Sequence, residues 1–428
     1  MIALAQELRS RGHRITFLQV PDLEPKVRSE GLDFSPIGMS MYQPGSLAET
    51  LKQLSQLSGL DSLRCSVDFC QQVTAAFCQD APAALEAHGI EALLVDQLEP
   101  AGETVAEFLN IPFISVCCAQ AIHRQADIPP FFTAWTYQNT WWARMRNRVA
   151  YHLLDRNSKA ITAVLNHYRQ QWQLPPKQGF SLSCSPLAQI SQQPAAFDFP
   201  CSTLPAAFHY TGPLRQPSSQ SVSFPFERLS GQPLIYASLG TLQGSKQELF
   251  HCIAAACDGL DVQLVLSYGG QINPAASELP GTPLVVDYAP QLEVIARASL
   301  TITHGGLNTV LDSLSHGVPL VAIPITYEQP GNAARIKWTG VGEMVPLNRL
   351  SIPSLRSTIQ RVLSEDAYVT NALALQQSIC QSGGVNRAAW LVEQAVAGRC
   401  SWAPQDSYAN ADAMRTETIA SSPQFRSR

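Results

Sequence analysis

Two short apolar runs separated by a glycine turn and a helical pattern constrain the fold of this chain more than any other feature. The runs are Leu300-Thr301-Ile302-Thr303 and Val318 to Pro324, and between them stand His304-Gly305-Gly306 and a helical pattern from Leu307 to His316. Gly317 ends that pattern as a C-cap glycine would. Alternating strands and helices predict a parallel sheet in an α/β fold, whose ligands bind at the carboxyl ends of the strands.

The turn between these two runs has the residue types of an anion site. Gly305-Gly306 lets the backbone approach a ligand closely, and the free N–H groups at the start of the next helix favour a phosphate. His304 can add a hydrogen bond or a positive charge, Asn308 and Thr309 offer side-chain donors, and Asp312 can accept ribose hydroxyl protons. On its own, a His-Gly-Gly turn is more often a simple tight turn.

The turn belongs to a longer ordered set of residues. The set is Tyr288-Ala289-Pro290-Gln291, His304-Gly305-Gly306-Leu307-Asn308-Thr309, Asp312, Gly317-Val318-Pro319, Pro324 and Glu328-Gln329. It resembles the donor signature of family 1 glycosyltransferases. Two further runs, Gln329 to Arg335 and Val95 to Gly102, most resemble the bacterial zeaxanthin glucosyltransferase and macrolide glycosyltransferase branch. The resemblance covers roughly residues 1 to 398.

The resemblance implies the GT-B fold, in which two Rossmann-like doubly wound α/β domains face each other across a cleft. We expect an acceptor-binding domain at 1–213, a polar linker at 214–229 and a donor-binding domain at 230–398. Helices from Ile352 through Ala397 are expected to cross back to the first domain. Residues 399–428 are polar and aperiodic, which predicts a disordered tail.

The donor is implied to be a UDP-sugar, which is a co-substrate and not a cofactor. Its diphosphate would lie on the His304 to Thr309 segment without a divalent metal. A second turn is formed by Ser238, Gly240 and Thr241. This turn would either touch the phosphates or be only a strand-to-helix turn. The nine histidines show no metal-ligand spacing.

The resemblance also assigns the remaining donor residues. Tyr288 would stack on uracil where relatives more often have tryptophan, with Ala289 giving backbone contacts and Gln291 nearby. Asp312, where many relatives have glutamate, would bind the ribose. Glu328 and Gln329 would bind sugar hydroxyls, and the glutamine favours glucose over galactose. The tyrosine and the aspartate leave deoxythymidine donors open.

The beginning of the sequence departs from the family pattern. Met1 to Arg11 is already an amphipathic helix, whereas a doubly wound domain opens with a strand, and in the family the following loop holds the catalytic histidine. We therefore expect a shortened chain whose central strand position is unfilled; the alternative is a complete but catalytically crippled protein. Asp96 ends a strand, either as a turn cap or as the family aspartate that orients the catalytic histidine.

Aromatic residues concentrate between residues 120 and 175, where the family places its acceptor-binding helices. Phe131, Phe132, Trp135 and Trp141 are the predicted acceptor wall, because aromatic surfaces suit a bulky apolar acceptor. The alternatives are ordinary helix packing and a face that contacts a membrane.

Composition and charge limit the binding partners and the cellular location that the sequence favours. With 15% charged residues and a net charge of -5, nothing favours a nucleic-acid partner. The cysteines show no Cys-x-x-Cys spacing and no apolar run approaches about 18 residues, which predicts reduced thiols in a cytoplasmic protein, peripheral to the membrane at most. We expect a monomer.

These observations predict an inverting hexosyltransferase that moves glucose from a UDP-sugar to a hydroxyl of a hydrophobic acceptor such as a carotenoid. A macrolide, another terpenoid, a sterol or a phenolic would also suit an aromatic pocket. The alternative function is a catalytically inactive nucleotide-sugar-binding protein that lacks the general base.

Overall fold

The computed structural model describes residues 1–43, 45–56, 59–201, 203–216, 222–240, 246–270 and 279–398. The helices are α1 (Ile2–Ser10), α2 (Glu24–Ser29), α3 (Ser46–Gln56), α4 (Gly59–Ala87), α5 (Pro100–Leu109), α6 (Trp141–Asn157), α7 (Lys159–Gln171), α8 (Gln247–Cys257), α9 (Gln291–Ile295), α10 (Leu307–Ser315), α11 (Gln329–Thr339), α12 (Ile352–Ser364), α13 (Asp366–Gln381) and α14 (Gly384–Val396). The strands are β1 (Thr16–Gln19), β2 (Asp33–Pro36), β3 (Leu93–Asp96), β4 (Phe113–Cys117), β5 (Gln189–Ser191), β6 (Phe208–Tyr210), β7 (Leu234–Ser238), β8 (Gln263–Ser267), β9 (Leu284–Val286), β10 (Ala298–Thr303), β11 (Leu320–Ala322) and β12 (Gly342–Met344).

The second half of the chain forms a parallel sheet in the order β12-β11-β10-β7-β8-β9. Strands β7 and β10 lie in its middle, and both are largely buried because helices cover both faces of such a sheet. Their register pairs Ser238 with Thr303, so the turns that follow these two strands lie side by side. The predicted apolar face of α10 (Leu307, Val310, Leu311 and Leu314) is at most 2% exposed.

The first half forms a four-stranded parallel sheet, β3-β4-β5-β6, and a separate parallel pair, β1-β2. Leu4 and Leu8 of α1 pack with Val385, Ala388 and Leu391 of α14 against the four-stranded sheet. The expectation that the final helices cross back to the first domain is therefore confirmed for α14, whose apolar face is buried there, whereas α12 and α13 pack in the core of the second domain. Residues 399–428, the predicted tail, lie outside the described residues.

Two predicted elements have different bounds in the structure. The apolar pattern of the sequence predicts a helix over Glu103 to Leu109, but the helix begins at Pro100, because the Glu99 carboxylate accepts a hydrogen bond from Ala101 N (3.1 Å) and caps the first turn. The strand expected over Val318 to Pro324 is confined to Leu320–Ala322, since prolines at 319 and 324 cannot donate to the ladder. In the described ranges, no helix is long and apolar enough to span a bilayer.

A groove of about 980 Å³ separates β1 from β3, and residues of both strands line it together with Ile2, Ala5 and Leu8 of α1. Strand β1 pairs with β2, and β3 pairs with β4, but β1 and β3 do not pair with each other. In the described residues, the facing edges of β1 and β3 therefore make no strand-to-strand hydrogen bonds.

Adding an apolar strand of about seven residues before Met1, with a short glycine loop between them, is expected to fill the groove and stabilise the protein. Such a strand followed by α1 and β1 makes a right-handed βαβ unit, and its backbone can bond to both flanking strands. Thermal unfolding should show a rise in Tm of about 4 °C or more. A matched extension with a central proline should give no rise, and an unchanged Tm with the apolar extension would contradict the prediction.

Candidate active site

The His304 turn joins β10 to α10 and is built around glycines. Gly305 has a φ of +88°, and a Cβ atom on Gly306 would lie 2.5 Å from His304 Nε2. A Cβ atom on Gly240, in the neighbouring turn, would lie 2.8 Å from His304 Cε1. No side chain caps the amino end of α10, so its first N–H groups are available to an anion.

His304 acts in this turn as a neutral ring. Burial lowers the pKa of His304 to about 4, although a hydrogen bond to the backbone of Ser238 opposes the shift. The imidazole is therefore uncharged near pH 7. Of the two roles that the sequence left open, hydrogen bonding is favoured over positive charge.

The amino end of α11 lies against the same turn. Asn332 Nδ2 donates to Gly305 O (2.9 Å), and Gln329 Oε1 accepts from the backbone N–H groups of Ile325 and Thr326, both at 2.9 Å. Gln329 is 5% exposed, and burial raises the pKa of its neighbour Glu328. The two residues predicted to bind sugar hydroxyls therefore stand beside the predicted phosphate turn.

Asp312 lies one turn further along α10 and is held from two sides. Its Oδ2 accepts from Gln291 Nε2 (2.7 Å), and its Oδ1 accepts from Arg215 Nε (2.8 Å). Arg215 also donates to Asn308 Oδ1 (3.0 Å), which accepts from Gln192 of the first domain as well. The structure therefore brings Asp312, Gln291 and Asn308 together, and each Asp312 oxygen keeps a lone pair for a further donor.

Sequence reasoning placed Arg215 in a polar linker and missed its contacts. The signal was a single cation directly after the last strand of the first domain, in Thr211-Gly212-Pro213-Leu214-Arg215. Nothing local to that segment indicates that its partner is a carboxylate 97 residues away.

Thr309, the other predicted donor in the first turn of α10, is largely buried, with 7% of its surface exposed.

Tyr288 and Ala289 follow β9 at the carboxyl edge of the same sheet. The Tyr288 side chain is 52% exposed, and its hydroxyl approaches Gly270 so closely that a Cβ atom there would collide with it. Ala289 is partly buried against the hydrophobic cluster that includes Leu234 and Val294. A tyrosine ring with an open face can stack on a planar base.

The predicted acceptor residues divide into two groups. Phe131 O accepts from Gly331 N (3.0 Å), and the Phe131 and Phe132 rings are perpendicular with centroids 5.3 Å apart, so both lie beside the amino end of α11. Trp135 lies under the Arg146 guanidinium at 4.2 Å. Trp141, at the start of α6, is 77% exposed, and the acceptor role of all four residues stays a prediction.

Asp96 stands at the carboxyl end of β3, and its Oδ1 accepts from Leu98 N (2.9 Å). The turn-forming role is therefore present, while the helix cap that follows is Glu99. Burial raises the pKa of nearby Cys118 to about 12, with the Met1 ammonium opposing the shift and Asp96 adding to it. The amino end of α1 and Asp96 therefore meet at one place, and the catalytic role of Asp96 stays a prediction.

Sequence reasoning also missed a buried ion pair that joins α11 of the second domain to the first domain. Arg335 of α11 and Asp198 of the first domain are 1% and 2% exposed, and Arg335 Nε and Nη2 both lie 2.7 Å from Asp198 Oδ1. Burial alone would raise the pKa of Asp198, but Arg335, His123 and Tyr210 together hold it well below its ordinary value.

The second predicted phosphate turn is described only in part. Ser238 is 5% exposed at the end of β7, Gly240 has a φ of +74°, and Thr241 lies outside the described residues. Across the described ranges, no group of three or more His, Cys, Asp or Glu side chains is placed to hold a metal. The expectation of a metal-independent site stays a prediction.

Two Rossmann-like parallel domains that meet at one ligand cleft define the GT-B class of glycosyltransferases. Solved structures agree with this fold: the kitacinnamycin glycosyltransferase superposes with a TM-score of 0.70 (20% identity, 92% of this chain and 95% of that chain). The calicheamicin glycosyltransferase CalG4 gives 0.68 (23% identity, 94% of each chain).

A family model described as UDP-glucoronosyl and UDP-glucosyl transferase matches residues 29–383, and the chain belongs to this family. It is 35% identical to a zeaxanthin glucosyltransferase of Pantoea ananas over 91% of each chain. It is 36% identical to a zeaxanthin glucosyltransferase of Pseudescherichia vulneris over 92% of this chain and 94% of that relative. The NDP-glycosyltransferase YjiC of Bacillus subtilis is 26% identical over 92% of each. The resemblance seen in the sequence is confirmed.

Replacing Gly306 by alanine is expected to weaken UDP binding tenfold to about a hundredfold. The backbone of Gly306 tolerates a side chain, but the new methyl group would push the His304 ring away, and overpacking of this kind costs about 1–3 kcal/mol. Isothermal titration calorimetry with UDP measures the effect. Ser315→Ala, on the last turn of the same helix, should leave the affinity unchanged; equal affinities for both variants would contradict the assignment of the turn.

Proposed function

We propose that this glycosyltransferase moves glucose from UDP-glucose to a hydroxyl group of a carotenoid or a similar lipophilic alcohol, with inversion at the anomeric carbon. The observation that carries the proposal is the direct contact between the two sides of the cleft. The backbone of Phe131, in the predicted acceptor wall, is hydrogen-bonded to the amino end of α11, where the predicted sugar-binding residues Glu328 and Gln329 are the N-cap and the first residue.

The donor would lie along the carboxyl edge of the second sheet. Uracil would stack on Tyr288, the ribose would bond to Asp312, and the diphosphate would sit on the uncapped amino end of α10 beside His304. Gln291 and Arg215 fix the orientation of the Asp312 carboxylate, which reduces the ordering cost when a ribose binds. Glu328 and Gln329 would then meet the glucose hydroxyls.

The reaction would be a single displacement. The acceptor oxygen forms a bond to the anomeric carbon while the bond from that carbon to the diphosphate oxygen breaks, and the N–H groups of α10 stabilise the departing anion. The hydroxyl proton must leave toward a base on the first-domain side of the cleft. Asp96 would act there by orienting and charging that base, as a carboxylate does for an imidazole.

The carotenoid acceptor is supported by the two relatives named zeaxanthin glucosyltransferase, each matched over at least 91% of its length. An aromatic segment beside the sugar site is consistent with a long apolar acceptor. Asp312 in place of glutamate and Tyr288 in place of tryptophan keep TDP-sugars as the donors against which UDP-glucose must be compared.

The direct test is an assay with UDP-glucose and zeaxanthin, with the products identified by mass spectrometry and their anomeric configuration by NMR. We expect β-glucosides and a lower rate with TDP-glucose. Transfer to other lipophilic alcohols but not to zeaxanthin would reject the carotenoid, and α-configured products would reject inversion.

A second candidate is a nucleotide-sugar-binding protein without turnover. It is favoured by the surroundings of Asp96, which bonds to Leu98 N and lies near Cys118, with no histidine bonded to it in the part of the chain that the structure describes. Calorimetry would then show UDP binding while no product forms with any acceptor. Turnover that Asp96→Asn abolishes would reject this candidate.

A further inference from the structure

Helix α6 presents a row of large apolar side chains to solvent. Trp141, Met145, Val149 and Leu153 repeat every four residues and therefore lie along one side of the helix. They are 77%, 55%, 56% and 53% exposed, and Trp142 beside them is 43% exposed. We call these five residues the α6 stripe. Ordinary helix packing, one of the alternatives weighed from the sequence, does not account for them.

The opposite side of α6 anchors the helix to the first domain. Ala143, Asn147, Ala150 and Tyr151 are buried there. Asn147 Nδ2 donates to Ala126 O and the Tyr151 hydroxyl donates to His123 O, both at 3.0 Å. The helix is therefore a fixed part of the domain, and the α6 stripe is a permanent surface feature.

Arginines dominate the charges beside the α6 stripe. Arg144, Arg148 and Arg156 are exposed, and within the described ranges no hydrogen bond or ion pair engages their side chains. The single carboxylate on the helix, Asp155, is bound by Arg124 at 2.7 and 2.8 Å. This is a local cationic face on a protein with a net charge of -5.

We infer that the α6 stripe docks on an anionic lipid bilayer. Apolar side chains, including tryptophans, would enter the interface while arginines beside them meet lipid phosphates, as in amphipathic helices that lie on membranes. A second copy of this chain fits less well, because an isologous contact would bring two cationic faces together without carboxylates between them.

The location of the α6 stripe links the bilayer to the proposed reaction, and this step rests on the proposed function. The chain runs from Phe131, which contacts the amino end of α11, through Trp135 to the start of α6 at Trp141. Arg146 joins the middle of this segment to α6, because its guanidinium lies 4.2 Å from the Trp135 ring and 5.2 Å from the Trp142 ring. A lipophilic acceptor would therefore pass from the bilayer to the cleft along this segment, which carries Phe131, Phe132 and Trp135.

Co-sedimentation with vesicles tests the docking surface without any substrate. The wild-type protein is expected to bind phosphatidylcholine vesicles that contain phosphatidylglycerol, and Met145→Glu/Val149→Glu should reduce the partition coefficient at least about tenfold. Arg144→Gln/Arg148→Gln should reduce the partition coefficient roughly fivefold for each arginine. This reduction is expected only on vesicles that contain the anionic phosphatidylglycerol. The matched control is Val369→Glu/Leu373→Glu, which places two glutamates at the same spacing on exposed positions of α13 and should bind as wild type does.

Three results would overturn the inference. The first is that the wild-type protein does not bind vesicles that contain phosphatidylglycerol, and the second is that Met145→Glu/Val149→Glu binds them as well as the wild type does. The third is a wild-type dimer in sedimentation velocity that this variant dissociates. A kinetic comparison then tests the link to the reaction. With acceptor in detergent micelles this variant should match the wild-type rate, whereas with acceptor in vesicles its apparent KM should rise. Vesicle binding without any turnover would reject the proposed function and leave the docking surface standing.

Discussion

Replacing Asp198 by alanine is expected to destabilise the protein by about 3–5 kcal/mol, because the variant leaves the Arg335 guanidinium buried without its carboxylate. Arg335 is 1% exposed, and its other contacts are a bond to Gly331 O (3.1 Å) and the face of Phe199. The Tyr210 hydroxyl, which donates to Asp198 Oδ2 at 2.8 Å, also loses its acceptor. Denaturant unfolding monitored by fluorescence measures the change.

Arg28→Ala is the control, since the Arg28–Glu24 pair is exposed and should contribute less than about 1 kcal/mol. The double variant Asp198→Leu/Arg335→Met should recover much of the loss, because it buries no unpaired charge. A loss below about 1 kcal/mol for Asp198→Ala would show that Arg335 finds another partner.

The same carboxylate should shape the acid unfolding of the protein. The folded-state pKa of Asp198 is held below its ordinary value, so its contribution is complete above the unfolded pKa of about 3.9 and is lost as the pH falls toward the folded pKa. The wild-type free energy of unfolding should therefore decrease below about pH 4 more steeply than that of Asp198→Ala. Parallel curves would contradict this.

Replacing Asp312 by alanine is expected to weaken UDP binding by a factor of about 10 to 100, because a hydrogen bond to a charged group contributes about 1.5–3 kcal/mol. The Asp312 side chain is buried just past the middle of α10, and Gln291 and Arg215 hold it in one orientation. Comparing UDP with 2′-deoxy-UDP makes the test specific for the ribose. The wild-type protein should prefer UDP, and the variant should bind both nucleotides with similar affinity.

Glu293→Gln removes an exposed carboxylate from the neighbouring helix α9 and should leave both affinities unchanged. Calorimetry on the wild-type protein, Asp312→Ala and Glu293→Gln measures the affinity of each for UDP and for 2′-deoxy-UDP. If Asp312→Ala weakens both nucleotides equally, Asp312 acts only by positioning α9 and the Arg215 segment. If the wild-type protein binds neither, the donor assignment itself fails.

Much of the second domain could be predicted because its information is local. The apolar run at Leu300, the glycine turn after His304 and the helix that Gly317 ends are each specified by neighbouring residues. The parallel register then brings Ser238 beside Thr303, and the predicted donor residues that the structure describes gather at one sheet edge. Helix starts were less predictable: α5 begins at Pro100, because the Glu99 carboxylate accepts a hydrogen bond from Ala101 N and caps the first turn.

The sequence by itself determined the fold class, the family and the glycine turn at His304, because strand alternation, glycine positions and residue order are local properties of the chain. Only the tertiary structure decided that Arg215 reaches Asp312, that Asp198 pairs with Arg335, that a groove lies between β1 and β3, and that α6 leaves its apolar row uncovered. The physical reason is that these features join residues far apart in the chain. Whether a charge is paired or an apolar side chain is covered depends on what folding brings next to it.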